Sequence, residues 1–317
     1  MQAVGGGARH TWTASTAAQA IRENAATSTQ LVSEALAAAE IWDPVIGSFI
    51  ARFDDRARAA AEAADLAVAH GRPLGPLHGV PIAIKDILAT EEGPTTAQSV
   101  VADPDWGTDG DAVAVARLRA AGAIIMGKTS TMEFAVGLPD ASKPFPVPRN
   151  PWDPSRYTGG SSSGSASGVA SGMFLGAVGT DTGGSIRMPS AFCGITGLKP
   201  TFGRVPKSGC LPLGFSLDHV GPMARSARDC ALMLGAMAGY HESDPAAADV
   251  PVPDYLAALS GDLRGVRIGV DPLAGPAAHC LDPAVPVALD AALETLAGLG
   301  ATLVPIELPF YDELCTA

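Results

Sequence analysis

Three polar segments lie where a purely structural role would be unusual. Lys85 ends the apolar run GVPIAIK at residues 79–85. A lysine at the end of a buried strand is costly unless its amine is neutral or paired, although a strand-edge lysine can also reach solvent. The other two segments are GGSSSGSASG at residues 159–168 and GTDTGGSIR at residues 179–187, which directly follows the apolar run FLGAV. Polar turns at strand ends often carry the chemistry of α/β folds, so these segments supply the candidate functional residues.

Two of these segments also have a plain structural interpretation. The composition of residues 159–168 is typical of a flexible tether between domains. The apolar run FLGAV at 174–178 follows soon after it, which favours a functional loop that leads into a helix. The turn at 179–187 is either a sharp structural turn or part of a site.

Two other motif matches fail on their physical context. GAIIMGKT at residues 122–129 matches the phosphate-loop pattern, but its glycines enclose an apolar strand where that motif needs a phosphate-wrapping loop. GSSSG at residues 160–164 matches the elbow around a nucleophilic serine, but prolines precede it where an elbow needs a central strand. A base for that serine would have to come from His219, His241 or His279.

Lysine and histidine spacings exclude two further classes of site. None of the five lysines follows a serine by three residues, so a Ser-x-x-Lys site is absent, and the KSG run at 207–209 is isolated. The six histidines show neither an H-x-x-x-H nor an H-E-x-x-H spacing, so no metal site is expected.

Composition limits the partners and the compartment. The 317 residues carry a formal net charge of −12, which disfavours nucleic acid and anionic membranes as partners. Residues 168–178 are too few and too rich in glycine to span a membrane, and the first residues lack the apolar core of a signal peptide. An odd number of cysteines without C-x-x-C spacing predicts reduced, mostly buried thiols in the cytoplasm. These are Cys193, Cys210, Cys230, Cys280 and Cys315.

The apolar and capping patterns predict an α/β chain. Residues 14–70 are predicted to be helical, and residues 138–158 to form a long ordered loop. A strand, helix and strand near the end of the sequence predict parallel pairing through a crossover helix. Predicted strands cover 79–85, 123–126, 174–178, 266–270 and 301–308, and further helices cover 111–121, 226–239 and 282–299.

Together, the three polar segments resemble the amidase signature family. The resemblance rests on GVPIAIKD, GGSSSGSASGVASG and GTDTGGSIRMPSAFCGITGLKPTFGRVP, and on the spacings of 76 residues from Lys85 to Ser161 and 24 from Ser161 to Ser185. RNPWD at 149–153 and the stretch 216–234 are also similar. The resemblance spans roughly residues 15–310, and its central motifs are highly specific.

This resemblance implies a fold and an activity. The fold is a single α/β domain, residues 15–317 after a flexible N-terminus of residues 1–14, with helices on both faces of a central mixed sheet. The activity is hydrolysis of the C–N bond of a small-molecule amide in the cytoplasm, without metal or organic cofactor and without direct contact to nucleic acid or membrane. A homodimer is common among relatives. Because family chains are generally longer, the resemblance also implies that the C-terminal part of the domain is missing.

The resemblance further implies a Ser–Ser–Lys triad. Ser185 is the nucleophile, Ser161 is the bridging serine after a cis peptide bond, and Lys85 is the general base. A serine hydroxyl needs an adjacent base, and lysine can serve only when burial lowers its pKa from about 10.4 toward 7. One departure is Ser163, which replaces a glycine common in the family.

The remaining implied residues surround that triad. The backbone N–H groups expected to form the oxyanion hole belong to Thr182, Gly183, Gly184 and Ser185. The substrate-binding residues implied are Ala135, Val136, Gly137 and Ser161. Asp181 and Arg187 are expected to stiffen the nucleophile turn through hydrogen bonds. The apolar side chains of Val136 and Leu138 favour an uncharged acyl group.

Two alternatives remain open at this point. The first is the amidase component of a tRNA-dependent amidotransferase, which releases ammonia from glutamine for a partner. The Pro-rich loop LPDASKPFPVP at 138–148 differs from what is expected of that component. The second is a truncated and inactive family member that serves as a binding protein.

Overall fold

A computed structural model describes residues 12–271 and 281–307. The chain divides into two compact units, Met1–Leu256 and Ala257–Ala317, and each is described by itself. The helices in the described residues are α1 (Ala14–Arg22), α2 (Ser28–Ile46), α3 (Asp54–Ala69), α4 (Val113–Ala120), α5 (Ser163–Ser171), α6 (Arg187–Cys193), α7 (Ala227–Met237) and α8 (Ala284–Gly298). The strands are β1 (Phe49–Arg52), β2 (Pro81–Lys85), β3 (Ile124–Thr129), β4 (Arg149–Asn150), β5 (Asp153–Tyr157), β6 (Gly176–Asp181), β7 (Thr196–Gly197), β8 (His219–Ala224), β9 (Arg267–Val270) and β10 (Thr302–Pro305).

The first unit is built on a six-stranded sheet in the order β1-β3-β2-β6-β8-β7. The three central strands β3, β2 and β6 are parallel. The outer strands β1, β8 and β7 pair antiparallel with their neighbours. The predicted fold class, a mixed central sheet with helices, is therefore confirmed.

Alternate residues of the central strands fill two separate cores. Ile82 and Ile84 of β2 pack in one core with residues of α1, α4 and α7. Ala83 between them packs in the other core with residues of α2, α3 and α5. Because successive strand side chains point to opposite faces, helices cover both faces of this sheet.

The Gly- and Ser-rich segment forms a buried helix and no tether. All residues of α5 except Ala170 are buried. Neighbouring atoms lie so close to this helix that larger side chains would not fit at its glycines. A Cβ on Gly164 would lie 2.2 Å from the Ser48 carbonyl oxygen, and one on Gly168 would lie 2.0 Å from the Phe174 ring.

Several local predictions need correction. The stretch 14–70 is not helical throughout, because β1 separates α2 from α3 and pairs with β3. The ordered loop at 138–158 contains the β4–β5 hairpin. The strand predicted at 123–126 continues to Thr129. The GKT of the phosphate-loop match therefore lies within β3 and not in a loop that could wrap a phosphate. Of the predicted flexible N-terminus, residues 1–11 lie outside the described residues, and Thr13 already caps α1.

The second unit contains the predicted strand, helix and strand. β9 and β10 pair in parallel, as the sequence predicts, but they form a separate two-stranded sheet. The domain bounds of 15–317 stay a prediction. Within the described residues, no helix is long and apolar enough to cross the width of a membrane.

The described cysteines agree with the prediction of reduced thiols. Cys193 and Cys230 are buried and Cys210 is half-buried, and all three are free. Burial raises the pKa of each of these thiols to about 12. Cys280 and Cys315 lie outside the described residues.

Candidate active site

Lys85 lies at the end of β2 with its side chain completely buried. Its Nζ donates to Ser161 Oγ at 2.7 Å and to Thr180 Oγ1 at 2.8 Å. Within the part of the chain that the structure describes, no carboxylate lies at ion-pair distance from this amine. Burial lowers the pKa of Lys85 to about 7, against the opposing influence of Cys210, Asp181 and Asp218. The amine is therefore able to accept a proton near neutral pH.

Ser161 begins the short loop that leads into α5. The Gly160–Ser161 peptide bond is cis, as expected, and Ser161 is buried. A Cβ on Gly160 would lie 2.2 Å from Cε of Met132 and 2.6 Å from the Tyr157 hydroxyl, so glycine fits this position. This packing fixes the backbone next to the serine that contacts Lys85.

The neighbouring serine joins this loop to the polar turn at the end of β6. The backbone N–H of Ser162 donates to the carbonyl oxygen of Ser185 at 3.1 Å. Ser162 Oγ lies 3.1 Å from both the N and the O of Thr180. These bonds bring the loop of Ser161, the end of β6 and the turn of Ser185 together.

Ser185 lies half-buried in the turn between β6 and α6, and Asp181 fixes this turn. The Asp181 carboxylate accepts hydrogen bonds from the backbone N–H groups of Gly184 at 2.8 Å and Ile186 at 3.1 Å, and from Arg187 Nε at 2.9 Å. Burial alone would raise the pKa of Asp181, but these hydrogen bonds lower it to about 2. Asp181 and Arg187 therefore contact each other beside the turn, and the role expected of them in stiffening it stays a prediction.

The backbone donors of this turn are not equivalent. The N–H of Gly184 is already used by Asp181. The N–H groups of Thr182, Gly183 and Ser185 have no hydrogen-bond acceptor among the described residues. Of the four expected donors, Gly184 is therefore engaged in holding the turn and the other three have no acceptor among the described residues, while the oxyanion hole itself stays a prediction.

A cavity of about 310 Å³ reaches this site only through Met132, since none of Lys85, Ser161 and Ser185 lines it. Its walls include Met132, Glu133, Phe134, Val136, Gly137 and Leu138. Val136 and Gly137 line this cavity, whereas Ala135 is buried and does not line it, and substrate binding by these residues stays a prediction. Met132 is shared, because it forms a wall of the cavity and also packs against Gly160.

Sequence reasoning missed four residues that support the site. Thr180 accepts the second hydrogen bond from Lys85. It lies within the polar segment 179–187, whose sequence pointed to a functional turn. Asp86 and Lys128 form a buried ion pair beside Lys85, with 3.2 Å between Oδ1 and Nζ. Asp218 accepts a hydrogen bond from the Thr182 hydroxyl. No local spacing relates Asp218 to a residue 36 positions away, so only the folded chain reveals that contact.

No metal centre is found in residues 12–271 and 281–307, since no three His, Cys, Asp or Glu side chains there group as ligands.

A family model described as Amidase matches residues 30–316. The chain therefore belongs to the amidase family. It is 43% identical over 303 residues to a glutamyl-tRNA(Gln) amidotransferase subunit from Chloroflexus aurantiacus, and the match covers 95% of this chain and 61% of that relative. It is 46% identical over 294 residues to the protein of the same description from Anaeromyxobacter sp., and this match covers 91% of this chain and 58% of the relative.

Solved structures give the same family assignment. The peptide amidase of Stenotrophomonas maltophilia is 35% identical and superposes with a TM-score of 0.85, covering 96% of this chain and 64% of that one. A bacterial aryl acylamidase of the amidase signature enzymes is 26% identical with a TM-score of 0.81, covering 97% and 64%. The chain thus spans about three fifths of the length of the curated relatives from Chloroflexus and Anaeromyxobacter.

Proposed function

We propose that the chain is an amidase that hydrolyses the C–N bond of a carboxylic amide through an acyl-serine intermediate. The observation that supports this most strongly is the buried Lys85 amine, which donates to Ser161 Oγ at 2.7 Å and has a pKa of about 7. A neutral lysine is a competent general base, whereas a solvent-exposed lysine is almost fully protonated at neutral pH. Membership of the amidase family supports the same reaction.

In the proposed acylation, Ser185 Oγ attacks the amide carbonyl carbon. The Ser185 proton moves to Ser161 Oγ, and the Ser161 proton moves to Lys85 Nζ. The C–O bond forms while the carbonyl oxygen becomes negative, and the N–H groups of Thr182, Gly183 and Ser185 stabilise that charge. The C–N bond then breaks, and the lysine proton returns through Ser161 to the leaving nitrogen.

In the proposed deacylation, a water molecule attacks the acyl-serine. Its proton follows the same route through Ser161 to Lys85, and the second tetrahedral intermediate uses the same N–H donors. The ester C–O bond breaks, Ser185 recovers its proton, and the carboxylic acid leaves. The acyl group would occupy the cavity beside Met132, whose lining combines the exposed apolar side chains of Val136 and Leu138 with the charged Glu133, Asp140 and Lys143.

We further propose that the chain works in the cytoplasm. Three free cysteines among the described residues agree with the reducing environment of the cytoplasm. A homodimer remains a prediction that analytical ultracentrifugation tests.

A serine-reactive fluorophosphonate tests the proposed nucleophile. We expect one adduct by intact-mass spectrometry, mapped to Ser185, and none on the Ser185→Ala variant. Ser155→Ala, which alters an exposed serine on the β4–β5 hairpin, serves as a matched control and should react like the unaltered chain. An adduct that persists on Ser185→Ala, or no adduct on a chain that melts cooperatively, would contradict the proposal.

A second candidate is the ammonia-releasing component of a tRNA-dependent amidotransferase. The curated relatives at 43% and 46% identity are described as components of such an enzyme, which favours it. It predicts release of ammonia from glutamine, which a coupled glutaminase assay measures with and without the partner subunits of the Anaeromyxobacter relative. Amide hydrolysis without glutaminase activity in either state would leave the free-standing amidase as the function.

A further inference from the structure

Asp218 is a nearly buried carboxylate that connects two parts of the candidate site. It directly precedes β8, and its carboxylate accepts a hydrogen bond from the Thr182 hydroxyl. It also accepts from the backbone N–H groups of Leu213 at 3.0 Å and Gly214 at 3.0 Å. The carboxylate therefore ties the loop at 213–218 to the turn that carries Ser185.

That turn is held at both ends by carboxylates. Asp181 binds the N–H groups of Gly184 and Ile186 in its second half. Asp218 binds Thr182 in its first half. Gly183 lies between these anchors, and a Cβ placed on it would meet no atom within 4 Å. Without Asp218, the Thr182 hydroxyl would lose its acceptor, and the only side-chain contact left at the start of the turn, among the described residues, would be that of His219 Nδ1 with the Asp181 carbonyl oxygen at 3.1 Å.

The chain segment just before Asp218 also contacts the strand end that carries the base. The backbone N–H of Leu211 donates to the Ile87 carbonyl oxygen, and the N–H of Ala89 donates to the Gly209 carbonyl oxygen, both at 2.8 Å. Residues 87–89 follow Lys85 almost directly. The longer segment 209–218 is thus hydrogen-bonded both to the residues after Lys85, through Gly209 and Leu211, and to the turn of Ser185, through Asp218.

We propose that Asp218 is a positioning residue for the proposed amide hydrolysis, acting through Thr182 to hold the turn's N–H groups where the carbonyl oxygen becomes charged. This inference depends on the proposed function. Fixed donors matter because an oxyanion hole stabilises charge only when its N–H groups are already oriented. A threonine hydroxyl bonded to a buried carboxylate restricts the rotation of the residue that bears the first donor.

Asp218 has a second influence that a purely structural anchor would not have. Its charge raises the pKa of Lys85, together with Cys210 and Asp181, against the larger lowering by burial. Replacing Asp218 by asparagine removes that charge, so the pKa of Lys85 should fall further. Since the neutral lysine is the active form, the rise of activity with pH should then occur at lower pH.

The test measures the rate of Ser185 modification by a fluorophosphonate, together with the melting temperature of each variant. Asp218→Ala and Thr182→Val should each slow the modification roughly ten- to hundredfold, which is less than the loss of about 10²–10³-fold when an oxyanion donor is removed outright. The double variant should lose no more than either single variant, since both break the same contact. Thr182→Ser, which keeps the hydroxyl, should recover most of the rate.

Asp218→Asn keeps an oxygen that can accept from Thr182 and separates the geometric role from the electrostatic one. It should retain more of the rate than Asp218→Ala and shift the pH profile of modification to lower pH. Asp244→Asn is the matched control, because Asp244 is also buried and binds backbone N–H groups of Lys207 and Ala246. That control should leave both the rate and the pH profile unchanged.

The outcomes distinguish this inference from the proposed function. If the unaltered chain is modified at Ser185 and the Asp218 and Thr182 variants react at the same rate, the positioning role of Asp218 is wrong. Additive losses in the double variant, or an equal loss in Asp244→Asn, also contradict it. If the folded, unaltered chain is not modified at all, the proposed function is wrong, and the inference is rejected with it.

Discussion

Lys85 and Lys128 are both fully buried on the neighbouring parallel strands β2 and β3, but their surroundings differ. Lys128 Nζ lies 3.2 Å from the Asp86 carboxylate and donates to the Leu88 carbonyl oxygen at 2.7 Å and to Thr95 Oγ1 at 2.8 Å. Lys85 Nζ contacts two hydroxyls, those of Ser161 and Thr180.

Charge compensation separates the roles of these two lysines. Burial lowers the pKa of Lys128, but the Asp86 charge opposes this effect and offers the ammonium a partner. Lys85 has no such partner within the described residues, so burial lowers its pKa to about 7. The same residue type at the same depth is therefore a structural anchor beside a carboxylate and a candidate base beside serine and threonine.

Replacing Lys85 should have the largest effect on activity. Lys85→Met should slow fluorophosphonate modification of Ser185 by about 10³-fold, within the range of general base catalysis. Its melting temperature should equal or exceed that of the unaltered chain, because a buried amine without a counter-charge is removed. If the Lys85→Met variant reacts within tenfold of the rate of the unaltered chain, Lys85 is not the general base and does not differ in role from Lys128.

Replacing Lys128 should instead affect stability. Lys128→Met leaves Asp86 buried without its ammonium and should lower the free energy of unfolding by about 3–5 kcal/mol. Urea denaturation measures this loss. The double variant Lys128→Met with Asp86→Asn should be more stable than Lys128→Met alone, since no unpaired charge remains. Equal or greater destabilisation in the double variant would argue against an ion pair.

The pH dependence of modification should report Lys85. At pH below about 7 its amine is increasingly protonated and cannot accept the Ser161 proton. The modification rate should therefore rise with pH through about 7 and then level off. A rate that is flat between about pH 6 and 8 would mean that Lys85 is not the titrating base.

Two threonines provide the smallest and most direct comparison. Thr180→Val removes one of the two acceptors of Lys85 and should slow modification two- to tenfold, as expected for a single hydrogen bond. Thr95→Val removes an acceptor of Lys128 and should leave the modification rate unchanged while destabilising the fold by about 1 kcal/mol. If Thr180→Val and Thr95→Val slow the modification equally, Lys128 contributes to the reaction as much as Lys85 does.

Local sequence signals predicted much of the fold. The apolar run before Lys85 indicated β2, and the helix predicted at 226–239 corresponds to α7, which Ser226 caps. The four residues of β1 were missed because FIAR is too short for a strand pattern, and pairing with β3 makes it a strand. The strand β5 was also missed, because Pro154 disfavours a central strand. Proline is tolerated here because β5 pairs only with β4, in a two-stranded hairpin.

The site was predictable only in part. Family resemblance selected Lys85, Ser161 and Ser185, and burial of the strand explains the low pKa of the lysine. The contacts of Asp218 with Thr182 and of Asp86 with Lys128 depend on which strands become neighbours, and no local periodicity encodes that. The bond from the Gly184 N–H to Asp181 could not be predicted, because the sequence does not reveal that the Asp181 carboxylate folds back onto this turn.

The small-residue helix α5 has a consequence for mutational tolerance. A stretch rich in glycine and serine is commonly treated as a spacer in which most replacements are harmless. Here one added methyl group at Gly164 or Gly168 would overlap backbone or ring atoms already in place. Saturation mutagenesis would therefore map this simple-looking segment among the least permissive of the first unit, and shortening it or replacing it with a linker would remove a helix from the core of that unit.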